Sequence, residues 1–431
     1  MQIQQFVIKY LNTCQILPVH QILIILRTWN NLIKLKILLV FLIIIFGCRK
    51  SDNPLDLILN SNIPEIKKIK NNFSNHEIQI LYSSIQRDSL GKPTFKEFSY
   101  NLDKNYYYYP ASTVKLPIAI LAIQKINYLI DKGFEISINT PFIIIDLEKD
   151  LMMFEKYSNN QNEVLSVANC IKKIFLYSDN ECYNYLFDFL GRDEINYQLE
   201  KKGLNNTRIY HKFLSNSDNV NSSEFLFISN GDTIYKQNSI KSNLNKSNTN
   251  LKSVLKGKKF LLKGKLVNSP FDFSFKNQIS ITDLNNILKR IIFPENFKKE
   301  ERFDLHQSDY NFLKYWMSRT SIEDNKSSIV NRDKYWDSYS KFFIYGDKKG
   351  EMNDNIRISN KVGMAYGTLT DVAYVRDKIN NIEFMLTATI LVNDNKTFND
   401  DIYEYESKGI PFLSALGRQV LKLERNKLTF D

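Results

Sequence analysis

Apolar residues partly alternate with polar ones over residues 77–87, and a second run of this kind covers residues 94–100. The two runs are separated by Gly91-Lys92-Pro93, a combination that favours a tight turn. Alternation with a period of two is typical of β-strands that bury one face. The pattern therefore predicts a β-hairpin at the beginning of the body of the chain.

Longer stretches with helical periodicity follow the hairpin. Their apolar residues recur at spacings of three and four, which predicts helices packed on a core. These stretches are residues 112–130, 163–176, 181–190, 193–202, 281–292, 309–319, 333–343 and, near the end of the chain, 411–423. Pro117 falls in the first turns of the first helix, where proline is best tolerated.

Three strand-like runs precede the last helix, at residues 356–362, 371–376 and 382–392. Strand patterns at both ends of the body thus surround a mostly helical middle. This order predicts an α+β fold, in which an antiparallel sheet formed from both chain ends carries helices on its faces, beside an all-helical part.

Residues 213–267 differ in character from the rest of the body. They are rich in Asn, Ser and Lys, and their clear hairpin signal is Asn230-Gly231 within residues 225–236. We therefore predict that residues 213–267 are an insertion on the scaffold.

The first 48 residues predict an export signal. Lys34 and Lys36 precede an unbroken apolar run, residues 37–47, which is too short to span a bilayer as a helix. Cys48 follows the run, and this junction resembles a bacterial lipobox, which implies lipidation of Cys48. A plain N-terminal membrane anchor is the alternative.

The leader sets the expected domain organisation and location. Residues 1–48 would be the signal, residues 49–75 a tether and residues 76–425 the folded domain. We expect the domain to lie in the cell envelope, lipid-anchored to a membrane outside the cytoplasm, in the periplasm or at the cell surface.

Composition excludes several classes of function. The chain has 431 residues, of which 43% are hydrophobic, and a net charge of +11. Its lysines are scattered, and no zinc-finger, helix-turn-helix or RNA-binding motif occurs, so we expect no nucleic-acid partner. The four histidines and four cysteines show no metal-binding spacing, which predicts neither a metal nor a cofactor. Cys170 and Cys182 are expected to be buried thiols rather than a disulfide.

The first of three candidate motifs is Ser112-Thr113-Val114-Lys115. It opens the first long helix, where positions i and i+3 share a face. The amine of Lys115 can therefore lie beside the Ser112 hydroxyl. A serine nucleophile needs such an adjacent base to take its proton.

The other two motifs supply groups for a substrate. Ser178-Asp179-Asn180 joins two predicted helices and offers a second hydroxyl for proton relay and an amide for a substrate carbonyl. Lys361-Val362-Gly363 lies on a predicted strand, and its lysine offers positive charge for a substrate carboxylate. The N–H of Met364, with that of Ser112, would form an oxyanion hole.

Each motif also occurs elsewhere in a less suitable context. Ser253-Val254-Leu255-Lys256 repeats the first and Ser217-Asp218-Asn219 the second, both within residues 213–267. Lys201-Lys202-Gly203 and Lys348-Lys349-Gly350 mimic the third. We prefer the copies that lie at a helix start, a helix junction and a strand.

The order S-x-x-K, S-D-N and K-x-G resembles that of class A β-lactamases and related penicillin-recognising serine hydrolases. The resemblance covers about residues 77–423, interrupted by the insertion. It implies a β-lactamase/transpeptidase-like fold and an acyl-enzyme formed with a β-lactam or a related amide or ester. It also implies residue roles: nucleophile Ser112, acylation base Lys115, proton relay Ser178, substrate ligand Asn180 and carboxylate anchor Lys361.

Two positions depart from the family pattern. Val362 stands where the family usually has a hydroxyl. Alignment on Thr207-Arg208-Ile209 places Phe213 at the position of the glutamate that activates the deacylating water. Loss of a general base costs about 10²–10⁴-fold in rate, so we expect slow turnover unless Glu224, the nearest carboxylate downstream, takes its place.

Two other functions stay open. The first is a cell-wall D-alanyl peptidase or esterase on the same fold, which would act on a peptidoglycan-like substrate. The second is an inactive surface-anchored binding protein, for which residues 213–267 would be the recognition surface.

Overall fold

The computed structural model describes residues 53–70, 72–146, 151–153, 164–213, 218–245, 250–323 and 333–427. The predicted leader and Cys48 lie outside this part of the chain. The chain divides into two units, Met1–Leu57 and Ile58–Asp431. All elements discussed below belong to the second unit, except helix α1, which spans the boundary.

Nine α-helices are described. In chain order they are α1 (Pro54–Leu59), α2 (Pro64–Lys70), α3 (Lys115–Asp131), α4 (Val167–Tyr177), α5 (Asn180–Leu190), α6 (Arg192–Lys201), α7 (Ile281–Ile292), α8 (Gln307–Ser318) and α9 (Ile410–Lys427). Short 3₁₀ turns add Phe73–His76, Ala111–Val114, Pro294–Asn296 and Lys299–Glu301, and a π-turn, Tyr405–Gly409, precedes α9.

Sixteen strands are described. They are β1 (Gln79–Arg87), β2 (Pro93–Tyr100), β3 (Phe142–Asp146), β4 (Leu151–Met153), β5 (Thr207–Arg208), β6 (Glu224–Ser229), β7 (Asp232–Gln237), β8 (Leu255–Lys256), β9 (Lys259–Leu262), β10 (Lys265–Val267), β11 (Phe271–Asp272), β12 (Gln278–Ile279), β13 (Ile356–Ala365), β14 (Thr368–Asp377), β15 (Ile382–Leu391) and β16 (Thr397–Phe398).

A five-stranded antiparallel sheet is the framework of the fold. Its strand order is β13-β14-β15-β1-β2, so the first hairpin of the body pairs with the last three long strands. In the register between β1 and β15, Leu81 pairs with Thr387 and Tyr82 with Leu386. The predicted α+β fold with a sheet formed from both chain ends is confirmed.

Helices cover both faces of this sheet. Thr387 donates its hydroxyl hydrogen to Asn285 of α7 at 3.0 Å, and its pairing partner Leu81 shares that face. The next residue, Tyr82, points to the other face and donates to Glu424 of α9. Because both faces are covered, β1 is buried along seven consecutive residues rather than alternating in exposure.

Helix α3 is the centre of the helical part and packs against α4, α5, α6 and α7. Among the described helices, the segment Ala111–Asp131 is long and apolar enough to cross a membrane, but 83% of its most apolar window is buried inside the protein. Its apolar composition therefore reflects its position in the core.

The prediction of a helix at residues 333–343 is wrong, because this segment itself consists of turns and irregular backbone. The backbone N–H groups of Phe342 and Phe343 donate to the carboxylate of Asp371 at 3.1 and 3.3 Å. The Lys341 amine donates to the carbonyl of Met317 at 2.7 Å. A distant carboxylate thus satisfies backbone N–H groups that a helix would pair locally, and a distant carbonyl binds the lysine side chain; apolar periodicity does not reveal such partners.

Part of the expected tether is folded. Within residues 49–75, α2 buries Ile66 and Ile69 and packs against α9. An exposed Glu65–Arg418 contact of 3.5 Å joins the same two helices.

The segment predicted as an insertion contributes to the main core. Its hairpin, β6 and β7, turns at Asn230-Gly231, where both residues have positive φ, as this turn requires. Strand β6 pairs with β3, and Phe225 and Phe227 are fully buried in the main apolar cluster. A second part, which contains β8 to β10, contributes Val254 and Phe260 to a separate aromatic cluster around Tyr107, Tyr109 and Phe273.

Candidate active site

Ser112 lies in the 3₁₀ turn Ala111–Val114 that leads directly into α3. Thr113 fixes this turn, because its backbone N–H and its hydroxyl both donate to the carbonyl of Pro110, at 3.1 and 2.7 Å. Ala111 has a φ of 46°, a left-handed conformation that strains a residue with a Cβ. Ser112 itself is partly exposed, so its hydroxyl is accessible.

Strand β13 packs directly against this turn. A Cβ on Gly363 would lie 2.5 Å from the carbonyl oxygen of Pro110 and 3.0 Å from the backbone nitrogen of Ser112. Glycine is therefore required for this close approach. Met364 follows on the strand with 44% of its side chain surface exposed.

Lys115 is fully buried, one helical turn after Ser112. Its amine donates to the backbone carbonyl of Ser178 at 2.5 Å and to Oδ1 of Asn180 at 2.6 Å. The Ser178 hydroxyl lies farther away, at 3.4 Å. The first two motifs are thus in direct contact.

The junction between α4 and α5 positions the second motif. Ser178 ends α4 with a φ of 54°, and this left-handed residue turns the chain. The carboxylate of Asp179 then accepts a hydrogen bond from the N–H of Cys182 at 2.7 Å, as an N-cap does. Asn180 consequently begins α5, with its side chain directed at Lys115.

Lys361 of β13 completes the group. Its amine donates to the Ser178 hydroxyl at 3.0 Å and to the carbonyl of Val362 at 2.9 Å. The Ser178 hydroxyl therefore lies between two lysine amines. The three predicted motifs converge, although they are separated by 63 and 183 residues along the chain.

Burial lowers the pKa of both lysines. It lowers the pKa of Lys115 well below its usual value, and the positive charge of Lys361 lowers it further. Burial likewise lowers the pKa of Lys361 to about 7, although the carboxylate of Asp371 opposes this shift. Lys115 is thus suited to act as a neutral base, while the charge of Lys361 changes near neutral pH.

Phe213, the residue aligned with the family's glutamate in the sequence, packs against Lys115. The centre of its ring lies 4.9 Å from the Lys115 amine and 4.6 Å from the ring centre of Tyr183. Its backbone N–H donates to Oδ1 of Asn184 at 2.9 Å, which holds the backbone of Phe213 itself. Glu224 lies instead at the start of β6, in an ion pair with Lys236 at 3.1 Å.

A buried polar network lies behind Lys361, and the sequence analysis did not identify it. The Lys341 amine donates to Oδ1 of Asn360 at 2.7 Å, and the Asn360 amide donates to Asp371 at 2.8 Å. All three side chains are buried. A sequence signal does exist, since Lys341 and Asp371 are charged residues that each directly precede an apolar run.

Aromatic rings flank the 3₁₀ turn Ala111–Val114, which contains the candidate nucleophile Ser112 and is called the nucleophile turn below. Tyr109 stacks on His211 with 6.3 Å between ring centres and meets Tyr366 edge-on at 5.0 Å. Burial lowers the pKa of His211 to about 4, so its imidazole is neutral at neutral pH. Tyr107 to Tyr109 are almost completely buried, so they belong mainly to the core.

The alternative copies of the motifs have other roles. The buried Lys256 amine bonds to Glu77 at 2.5 Å and to the Ser253 hydroxyl at 3.1 Å, so it is neutralised by a carboxylate. Asp218 caps the backbone N–H groups of Val220 and Asn221. Among the described residues of these two copies, none forms a hydrogen bond with the side-chain amine of Lys115 or Lys361.

The two cysteines of the described residues are thiols. Cys170 and Cys182 are buried free thiols, as the sequence analysis expected. Burial raises the pKa of Cys182 well above its usual value. Within the described residues, no group of three His, Cys, Asp or Glu side chains is arranged to hold a metal ion.

The fold and the converging motifs together define the class of serine β-lactamase-like hydrolases. A model of the beta-lactamase enzyme family matches residues 64–302, which is more than half of the 431 residues. The chain belongs to this family.

Solved structures similar to this chain include three bacterial β-lactamases. The class A beta-lactamase from Mycobacterium abscessus is 14% identical, with 83% of this chain and 96% of that chain covered and a TM-score of 0.46. The beta-lactamase from Desulfarculus baarsii is 11% identical, with 83% and 96% covered and a TM-score of 0.46. The beta lactamase from Xanthomonas campestris is 15% identical, with 81% and 92% covered and a TM-score of 0.44. No curated protein matches this chain in sequence.

Proposed function

We propose that this protein is acylated at Ser112 by a β-lactam or a related amide or ester, and that the acyl-enzyme is long-lived. The observation that carries the proposal is the contact of Lys115 with Ser178, Asn180 and the ring of Phe213. The first two contacts suit acylation, and the third removes a base from the position where deacylation needs one.

Lys115 is suited to take the proton of Ser112. A neutral amine has two N–H groups and one lone pair. The two N–H groups are used by the carbonyl of Ser178 and by Asn180, which leaves the lone pair for an incoming proton. Within the described residues the Ser112 hydroxyl has no hydrogen-bond partner. Catalytic hydrogen bonds often form only when substrate is bound, so we infer that the contact between Ser112 and Lys115 closes at that stage.

The remaining groups would bind the substrate and the leaving group. Ser178, bonded to Lys361, would deliver a proton to the departing nitrogen or oxygen, and charged Lys361 would attract a substrate carboxylate. The close packing of Gly363 on the nucleophile turn supports an oxyanion hole formed by the N–H groups of Ser112 and Met364. Attack by Ser112 Oγ forms the new ester bond, and the amide or ester C–N or C–O bond breaks as the leaving group takes the proton.

Deacylation would then be slow. A water molecule that attacks the ester must lose a proton, and the phenyl ring of Phe213 cannot accept it. The natural acyl donor would therefore be a β-lactam or a cell-wall peptide that forms a lasting adduct. If the protein instead turned over a D-alanyl peptide or a simple ester, a group other than residue 213 would have to take the proton from the attacking water.

The decisive experiment is intact-mass analysis after incubation with a fluorescent penicillin. We expect a single adduct on the wild-type chain that maps to Ser112, and none on Ser112→Ala. Ser253→Ala is the matched control, because Ser253 also lies three residues before a buried lysine, and it should label like the wild type. Absence of an adduct on a folded wild-type protein would contradict the proposal and favour an inactive binding protein.

Turnover assays distinguish the remaining possibilities. We expect nitrocefin to give about one equivalent of product per protein and then very slow release. Rapid steady turnover of a D-alanyl peptide or of a simple ester would instead identify a peptidase or esterase.

We also propose that the chain is lipid-anchored at Cys48 outside the cytoplasm. The proposal rests on the basic residues Lys34 and Lys36, the apolar run at 37–47 and the cysteine that follows. Metabolic labelling with a fatty acid should mark the wild type but not Cys48→Ser. Equal labelling of both would contradict it.

A further inference from the structure

We propose that the hairpin formed by β9 and β10, residues 258–267, contacts an anionic lipid membrane. It lies outside the acyl-transfer site, and the proposal does not depend on Ser112. The hairpin combines exposed leucines, uncompensated lysines and a firm attachment to the domain.

Two leucines of the hairpin are exposed. Leu262 at the end of β9 has 54% of its surface exposed and Leu266 in β10 has 52%. Leu266 lies directly opposite Leu261, which is itself only partly buried. Since paired residues share a face, Leu266 and Leu261 lie on one face of the ribbon and Leu262 on the other, so the end of the hairpin exposes leucine on both faces. Exposed apolar side chains at such an end commonly mark an interaction site.

The charged residues of the hairpin itself are all lysines. Residues 252–271 contain six lysines and no Asp or Glu. Two of these lysines are neutralised, Lys252 by Asp103 and Lys256 by Glu77. The other four are exposed and form no ion pair within the described part of the chain: Lys258, Lys259, Lys263 and Lys265.

The hairpin is held firmly against the domain. Strand β9 lies between β10 and β16, and Phe260 packs on the aromatic cluster. The Asn399 amide donates to the carbonyl of Leu261 at 2.8 Å. At Gly257, a Cβ would lie 2.6 Å from the ring of Phe398, so the base of the hairpin is closely packed. The leucines therefore extend from a stiff support.

An anionic membrane fits these features better than other partners do. Apolar side chains surrounded by lysines are typical of segments that lie at a lipid interface, where the leucines enter the acyl region and the amines meet phosphate groups. A second protein strand added to the edge of β10 is disfavoured, because Lys265 lies on that edge strand. A purely polar anionic polymer would leave the leucines in water.

The test measures insertion of the hairpin itself. The full chain, with Cys14 and Cys48 changed to serine, carries Leu262→Cys labelled with an environment-sensitive fluorophore and is reconstituted into vesicles that contain lipids with a quenching group. Leu90→Cys is the matched control, because Leu90 is a 91% exposed leucine in the turn between β1 and β2. The apolar leader is the same in both proteins, so the difference reports the hairpin.

We expect the label at 262 to be quenched at least about twofold more than the label at 90 in vesicles with phosphatidylglycerol, and less so in phosphatidylcholine alone. Replacing Lys258, Lys259, Lys263 and Lys265 by Gln should lower the ratio of inserted to free hairpin about fivefold per lysine. Unchanged thermal melting would show that the fold is intact.

Three results would overturn the proposal. The first is equal quenching at positions 262 and 90, and the second is equal quenching in the two lipid mixtures. The third is a change in the emission of the label at position 262 when a soluble polyanion or a second copy of the chain is added without lipid. The last result would assign the hairpin to that partner instead.

Discussion

At the scale of single residues, the proposed lifetime of an acyl-enzyme depends on Phe213, whose ring lies beside the amine of Lys115. Phe213 packs its ring on the amine and on Tyr183, and its backbone N–H donates to Asn184. A ring in this position excludes water from the amine and offers no proton acceptor. Under the proposed function, acylation and deacylation would therefore depend on different side chains.

Phe213→Glu should convert a lasting adduct into a turning-over intermediate. A carboxylate at this position can take a proton from water, and general base catalysis contributes about 10²–10⁴-fold, so the half-life of the penicillin adduct should fall about 10²-fold. Intact-mass analysis over time measures it. Phe213→Leu is the control that removes the ring without adding a base, and an equal acceleration by Leu would show that exclusion of water, rather than the missing base, limits deacylation.

The protonation of Lys361 predicts the pH dependence of acylation. Its pKa is lowered to about 7, so the amine is charged below pH 7 and neutral above it. The rate of acylation by a β-lactam that carries a carboxylate should therefore fall about tenfold per unit as the pH rises above 7. Stopped-flow labelling between pH 6 and 8.5 measures this rate.

The control for this pH profile is Lys361→Arg, since guanidinium keeps its charge throughout the range. Its rate should be flat, as should the rate of the wild type with an ester that has no carboxylate. A wild-type profile that stays flat for the anionic substrate would show that Lys361 does not bind the carboxylate.

At the scale of elements, the site depends on how closely β13 approaches the nucleophile turn. Gly363 allows this contact, and any side chain there would meet the carbonyl of Pro110 and the N–H of Ser112. The 3₁₀ turn, the end of α4 and β13 consequently form one packed unit. A displacement of any one of them changes the positions of the others.

Gly363→Ala should separate the strand from the turn. Overpacking of this kind costs about 1–3 kcal/mol, and displacement of an oxyanion-hole donor costs about 10²–10³-fold in rate. We expect a lower melting temperature and acylation reduced about 10²-fold. Gly350→Ala is the matched control, since a Cβ there meets nothing within 4 Å, and wild-type acylation by Gly363→Ala would contradict the close packing.

Elements with strong periodicity were predictable from the sequence, and segments fixed by distant contacts were not. The hairpin β1–β2, helix α7 and the closing strands carry regular apolar patterns, and they form as predicted. The prediction for residues 333–343 failed because Asp371 accepts hydrogen bonds from backbone N–H groups of Phe342 and Phe343 that a helix would have paired internally.

The candidate site shows the same division. Ser112, Lys115 and Lys361 could be predicted as candidate site residues because the motifs S-x-x-K, S-D-N and K-x-G occur in this order along the sequence. The network that joins Lys341 to Asn360 and Asp371 was missed, since only folding brings a lysine from a turn against two neighbouring strands.

At the scale of the whole molecule, residues 213–267 help to hold the domain together. Phe225 and Phe227 of β6 are completely buried, and they contact Phe142 and Phe189 with ring centres 5.4–5.6 Å apart. The segment thus joins β3 to α5 through aromatic packing. Its polar composition alone did not reveal this contribution.

Phe225→Ala should destabilise the whole domain. Removal of a fully buried phenylalanine costs about 3–5 kcal/mol through lost apolar burial and the cavity that remains. Chemical denaturation with a shifted midpoint measures this loss. Phe275→Ala is the control because Phe275 is 61% exposed, and a similarly small effect of both substitutions would show that residues 213–267 fold separately.

The pairing of β1 with β15 also governs the order in which the protein can be made. Ile80 lies opposite Ala388, so a strand synthesised early stays unpaired on one edge until the ribosome has added some three hundred further residues. During that interval an apolar edge is open to pairing with other nascent chains. A stop codon before β15 should therefore yield insoluble product rather than a smaller folded domain, and chaperone demand should rise with the rate of translation.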